Sequence, residues 1–140
     1  MSPTMVFRNK EDSESRDDFG NLVLVVGASG GPKIITSVLQ VFLNYCMLGM
    51  SLFESIVRPR VHEQLLYHDA AVTAVEKDSL EQGPLIEVPQ RTKDALLKRG
   101  HKRLLEIDYT GCVQAVAVDL ETSTLSAVSD VRKGGKPAGH

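Results

Sequence analysis

The sequence has 140 residues, 42% of them hydrophobic, which is enough for one core of ordinary composition and predicts a single domain or part of one. Lys and Arg number 16 against 18 Asp and Glu, a formal net charge of -2, so no basic field directs the chain to nucleic acid or to an anionic membrane. Cys46 and Cys112 do not form a close-spaced metal pair, and with Cys46 inside an apolar run they are expected to be two buried thiols rather than a disulfide framework.

Thr4 to Phe7 and Leu22 to Val26 are rich in strand formers and predict an antiparallel pair. Between them lies the polar insert Arg8 to Gly20. Its acidic residues Glu11, Asp12, Glu14, Asp17 and Asp18 lack calcium-loop spacing, so a solvated and mobile hairpin tip is expected. Removal of Met1 would leave Ser2 as an N-terminal hydroxyl beside its own amine, a known nucleophile arrangement. With Pro3 directly behind it, Ser2 and Thr4 are read instead as the start of a strand. Met1-Ser2-Pro3-Thr4 also lacks the basic start and apolar stretch of a leader, and the compartment stays open.

The chain turns on the stretch after Val26, Gly27-Ala28-Ser29-Gly30-Gly31-Pro32-Lys33, which reads as a glycine turn between a buried strand and a helix. Pro32 suits the first helical turn, and Gly30 and Gly31 allow the backbone close to a ligand. Amides ahead of a helix favour negative charge: a phosphate, a carboxylate or a developing oxyanion. A P-loop fails because the triplet Pro32-Lys33-Ile34 lacks both the second Gly and the magnesium-binding hydroxyl. The dinucleotide fingerprint fails as well, since its second and third Gly fall on Ser29 and Pro32. What remains is a pair of adjacent glycine amides, a geometry used to hold an acyl-transfer oxyanion. A tight turn using glycine only for its dihedral angles accounts for the same letters.

The helix from Pro32 is expected to run to a glycine cap near Gly49. Lys33, Thr36, Ser37, Gln40 and Asn44 keep a polar stripe on it, and it is too short to span a bilayer, so a core helix is expected. Ser51 and Glu54 have capping-box spacing for a short helix, Leu52 to Val57, that Pro59 ends. Arg58 and Arg60 could clamp a carboxylate, but isolated arginines more commonly pair at the surface and both are read as structural. His62 beside Glu63 is an acid-base candidate without a visible nucleophile, so packing after a turn is the simpler reading.

Further on, Ala71 to Val75 predicts a strand, Glu81-Gln82-Gly83-Pro84 a loop, and Pro89 to Arg99 a surface helix. Leu96 and Leu97 form its narrow apolar face, Lys98 and Arg99 suit its C-terminal end and Gly100 caps it. Leu104 to Ile107 and Cys112 to Leu120 predict strands, the second alternating Val113, Ala115 and Ala117 against Gln114, Val116 and Val118. Leu125 to Ser129 returns through the turn Glu121-Thr122-Ser123-Thr124 as a second hairpin. The tail from Arg132 to His140 carries too few positive charges for a nucleic-acid arm and is expected to close the domain or fray.

The run Val26 to Gln40 closely resembles the small subunit of gamma-glutamyltransferases, also called glutathione hydrolases. The resemblance extends to Met1-Ser2-Pro3-Thr4, to Arg58-Pro59-Arg60-Val61-His62-Glu63-Gln64 and to Ser129-Asp130-Val131-Arg132-Lys133-Gly134-Gly135, in the family's order. It departs at Glu63, where relatives usually carry His, at Val131 for a proline, at His140 for a terminal tyrosine, and in the long insert. The resemblance implies an α+β fold, with residues 1–140 a single partial domain from the αββα sandwich of N-terminal nucleophile hydrolases, mainly antiparallel. In such enzymes a threonine exposed by self-cleavage attacks a gamma-glutamyl amide such as glutathione, and water or an amino acid then takes the acyl group. By position, Gly30 and Gly31 become the oxyanion-hole and substrate-binding pair; no cofactor and no metal are implied. Counterparts of the nucleophilic threonine, of the acidic residue that holds the substrate amine and of the arginine that holds its carboxylate are not found in the chain. The implied partners are therefore the large subunit and the remainder of the small one, and the chain alone is expected to be inactive. Plasma-membrane, extracellular or vacuolar placement is implied for the family. The other class of reading is a non-catalytic module that binds a small anion or a partner protein.

Overall fold

The computed structural model describes residues 3–9, 20–65, 71–79 and 85–139. Ser2, the insert from Lys10 to Phe19, the loop Glu81-Gln82-Gly83-Pro84 and His140 lie outside the described residues, as do the expectations attached to them.

Alternating apolar residues build the first sheet. Strands β1 (Thr4–Arg8), β2 (Asn21–Ser29), β7 (Cys112–Val118) and β8 (Leu125–Ser129) pair antiparallel in the order β1-β2-β7-β8. One face carries Leu24, Val26 and Ala28 from β2 with Val113, Ala115 and Ala117 from β7, all buried. Helices α1 (Lys33–Phe42) and α2 (Leu52–Val57) cover this face with Val41, Leu52 and Ile56. Each fully buried aliphatic side chain is worth about 1.5–3 kcal/mol, so this layer is the main source of cohesion.

β2 does not stop at Val26, as its sequence predicts. Gly27, Ala28 and Ser29 continue the ladder opposite Gln114, Val113 and Cys112, and the turn begins only at Gly30. The inward period Leu24, Val26, Ala28 carries the strand through Gly27.

The second sheet orders β3 (Val61–His62), β4 (Thr73–Ser79) and β5 (Leu85–Glu87), and β6 (Leu104–Ile107) pairs parallel with β4 after α3 (Gln90–Lys98). β4 starts two residues later than the Ala71 predicted and runs to Ser79; β3, β5 and the parallel pairing are not legible in the sequence. α3 is exposed along most of its length, but its buried residue is Lys93, whose Nζ bonds Glu87 at 2.9 Å and Glu106 at 2.7 Å. α2 has the expected capping box, with Ser51 and Glu54 exchanging both bonds.

α1 departs most from expectation. Its polar stripe faces inward: Ser37 is buried, Gln40 bonds both backbone groups of Val61, Thr36 meets His62, and Asn44 reaches Ser55 O. The opposite stripe is apolar and open, with Ile35 76%, Leu39 50%, Leu43 40% and Met47 69% exposed. The helix widens into a π turn over Leu43–Met47 before Gly49 (φ +66°). On that turn Cys46 is exposed, against the expectation of two buried thiols; Cys112, on the Gln114 face of β7, is buried.

Candidate functional site

Where β2 ends, the chain must reverse into α1 within three residues. Gly30 takes φ +136° and Gly31 φ +61°, conformations that L side chains resist, and Pro32 (φ -61°) caps the helix. Their carbonyls are used: Lys33 N donates to Gly30 O at 3.3 Å and Ile34 N to Gly31 O at 3.1 Å. Their amides are not, for among the described residues neither Gly30 N–H nor Gly31 N–H donates a hydrogen bond. Gly31 is exposed, and nothing lies within 4 Å of where its Cβ would stand. The turn thus places two adjacent amides, neither donating to the described residues, at the positive end of a helix, Gly31 exposed and Gly30 half-buried. A hollow of about 420 Å³ lies elsewhere, between α2 and β5, lined by Phe53, Val57, Leu85 and Val131.

Beneath the turn sits a buried ionic cluster that sequence reasoning missed. Arg60, read as structural or surface-paired, is 1% exposed and reaches Asp130 Oδ2 at 2.8 Å and Gly111 O at 2.9 Å. Arg132 spans Glu76 through Nε and Nη2, both at 2.6 Å, and Asp130 Oδ1 at 2.9 Å. It also donates to Ile56 O and Arg58 O at the end of α2. Glu76 accepts from Arg60 N at 2.9 Å and Thr110 N at 3.1 Å. Four charges of balanced sign are met mutually and by backbone, all but Arg60 Nε, which is buried with no partner among the described residues; such pairing is the condition under which burial is tolerated. Desolvation works against the charge on Asp130, but Arg60, Arg132 and the Val113 N–H outweigh it and hold the carboxyl below its usual range. The signal was present in the letters: Arg60 and Arg132 sit in two of the motifs carrying the resemblance, 72 positions apart.

Lys33 stands at the rim, its Nζ 3.4 Å from Tyr109 O and 5.7 Å from the Tyr109 ring centroid. His62 is buried, with Nδ1 2.8 Å from Thr36 Oγ1 and Nε2 2.8 Å from Gln64 Oε1. Glu63 points elsewhere, to Thr73 and the Leu65 amide, and the Thr73 hydroxyl chiefly holds its carboxyl low. The pair makes no acid-base couple. Cys112, opposite Ser29, is the thiol nearest the turn, but burial and then the Asp130 charge push it up, away from nucleophilic use. No described group of His, Cys, Asp and Glu could hold a metal ion.

The sequence profile of the gamma-glutamyltranspeptidase family matches residues 1–140. Glutathione hydrolase 2 of Arabidopsis thaliana is 32% identical over 149 residues, covering 100% of this chain and 23% of its own length. The glutathione hydrolase proenzyme of Bacillus subtilis (strain 168) is 29% identical over 139 residues, 99% of this chain and 20% of its own. The chain thus spans about a fifth of these curated relatives. Among solved structures, the T380A mutant of Helicobacter pylori gamma-glutamyltranspeptidase superposes with a TM-score of 0.73 at 32% identity, over 95% of this chain and 61% of that one.

Proposed function

Since the chain belongs to the gamma-glutamyltranspeptidase family, matched over residues 1–140, we propose that it supplies the oxyanion-binding turn of an enzyme that cleaves gamma-glutamyl amides such as glutathione. The observation that carries this reading is the pair of unengaged amides of Gly30 and Gly31 at the head of α1. A threonine supplied by polypeptide outside these residues attacks the gamma-carbonyl. The carbonyl electron pair moves to oxygen, and the two amides bind the O⁻ while the C–N bond is intact. The hydroxyl proton of the threonine passes to its own N-terminal amine on attack; collapse of this intermediate expels the amine of the substrate, which takes that proton, and leaves a gamma-glutamyl ester on the threonine. Water or an amino acid then attacks that ester through a second oxyanion in the same position. The donors act only as charge develops, so they lower the barrier without tightening ground-state binding.

A chimera in which this chain replaces the matching segment of the Bacillus subtilis relative tests the proposal. Release of glutamate from glutathione is expected from the chimera and none from the 140-residue chain alone. Gly31→Pro in the chimera, which removes that N–H and cannot hold φ +61°, should lower kcat by at least about 10²–10³, the usual cost of an oxyanion donor. Turnover by the isolated chain at enzyme-like rates, or an unchanged kcat in a folded Gly31→Pro chimera, would remove this reading. A folded but inactive chimera whose Gly30 and Gly31 amides shift on adding phosphate would instead support a non-catalytic anion-binding module.

A further inference from the structure

The glycine turn rests on a second backbone. A Cβ on Gly30 would lie 2.9 Å from Gly111 Cα, and a Cβ on Gly111 would lie 3.0 Å from both Ser29 O and Ser37 Oγ. The two chains therefore touch with no side chain between them, and Gly111 holds φ +118°. The peptide Thr110-Gly111 is itself held from several directions. Glu76 accepts from Thr110 N at 3.1 Å, Arg60 Nη1 donates to Gly111 O at 2.9 Å, and Ser37 Oγ lies 2.6 Å from Thr110 O. Ser37 Oγ also lies 2.8 Å from Lys33 O, in the first turn of α1. Its single proton serves one of the two carbonyls at a time, and Ser37, fully buried and itself on α1, ties that helix to the support under Gly30 through the contact with Thr110 O.

We propose that Gly111 and Ser37 are positioning residues for the Gly30-Gly31 oxyanion turn, Gly111 setting how deep Gly30 sits and Ser37 locking that support to α1. This inference rests on the reading given under Proposed function. Neither residue reaches solvent or a substrate: Gly111 and Ser37 are both buried. Their effect is geometric. An oxyanion donor works within a few tenths of an ångström of its ideal distance, and a misplacement of about 1 Å costs about 10²-fold in rate. A methyl group at Gly111 cannot fit without displacing either the Ser29 carbonyl, one residue before the turn, or the Ser37 hydroxyl.

The test uses the active chimera with four variants: Gly111→Ala, Ser37→Ala, Ser37→Thr and, as a strain control, Gly100→Ala. Gly100 has a similarly positive φ of +101°, but nothing stands within 4 Å of its Cβ position. Gly111→Ala and Ser37→Ala are expected to lower kcat by about 10- to 100-fold with KM within about 2-fold, the pattern of an interaction made only in the transition state. Ser37→Thr, which keeps the hydroxyl, should recover most of the loss, and Gly100→Ala should change neither constant. A parental kcat in folded Gly111→Ala, or a loss matched by Gly100→Ala, overturns the proposal. If the parent chimera has no activity, the reading of function is what has failed. The positioning claim is then decided on the 15N-glycine-labelled chain in dilute solution: shifted Gly30 and Gly31 amide signals in Gly111→Ala support it, and unmoved signals overturn it.

Discussion

The two glycines of the turn carry different constraints although they are adjacent. Gly30 combines φ +136° with a 2.9 Å collision at Gly111 Cα, whereas Gly31 combines φ +61° with open space. Gly30→Ala should therefore be the more destabilising, and Gly31→Asn, a residue that tolerates the left-handed region, should melt close to the parent. Thermal melts of the three proteins check this order. Asp130 has a pH-dependent consequence. Its folded pKa is depressed, so its contribution is complete above the ordinary aspartate value of about 3.9 and is lost as pH falls through the folded value. Asp130→Asn leaves Arg60 and Arg132 short of a buried partner and should cost about 3–5 kcal/mol near neutrality. Urea unfolding at a series of pH values should show that gap narrowing below about pH 4. A gap that stays constant into acid would refute the assignment.

At the level of elements, α2 shows how a six-residue helix survives. Isolated helices this short are unstable in water, so its ends and its buried Leu52 and Ile56 must do the stabilising. The Ser51–Glu54 capping box satisfies the N-terminus, and Arg132 donates to Ile56 O and Arg58 O at the other end. Ser51→Ala is expected to cost about 1 kcal/mol in chemical unfolding, because only one cap is lost. The capping box was legible from the Ser51/Glu54 spacing. The C-terminal cap was not, since Arg132 arrives from 74 residues beyond Arg58.

For the molecule as a whole, the stripe Ile35, Leu39, Leu43 and Met47 faces solvent on a helix whose polar side faces the protein. Such a continuous apolar strip promotes self-association, and poor solubility of the chain expressed alone is expected. Ile35→Lys together with Leu39→Glu should raise the soluble fraction and suppress concentration-dependent light scattering. Unfolding free energy should stay within about 0.5 kcal/mol, as for exposed sites generally. A parent chain that is already monomeric at high concentration would show that the strip needs no cover.

Periods of two and of about 3.6, cap residues and turn glycines placed β6, β8, α2 and α3 within a residue or two, since each rests on neighbours in the chain. The Gly30-Gly31-Pro32 junction belongs to the same local class, as does the alternation that makes β7 bury Val113, Ala115 and Ala117. Long-range pairing decided the rest. Which face of α1 points inward depends on the groups that β3 and Thr110 bring to it, the His62 ring to Thr36, the Thr110 carbonyl to Ser37 and the Val61 carbonyl and amide to Gln40, and a helical wheel carries no record of them. Likewise, the burial of Arg60 follows from Asp130, 70 residues away, meeting it beneath the turn: a lone arginine belongs in water until the fold supplies its counter-charge.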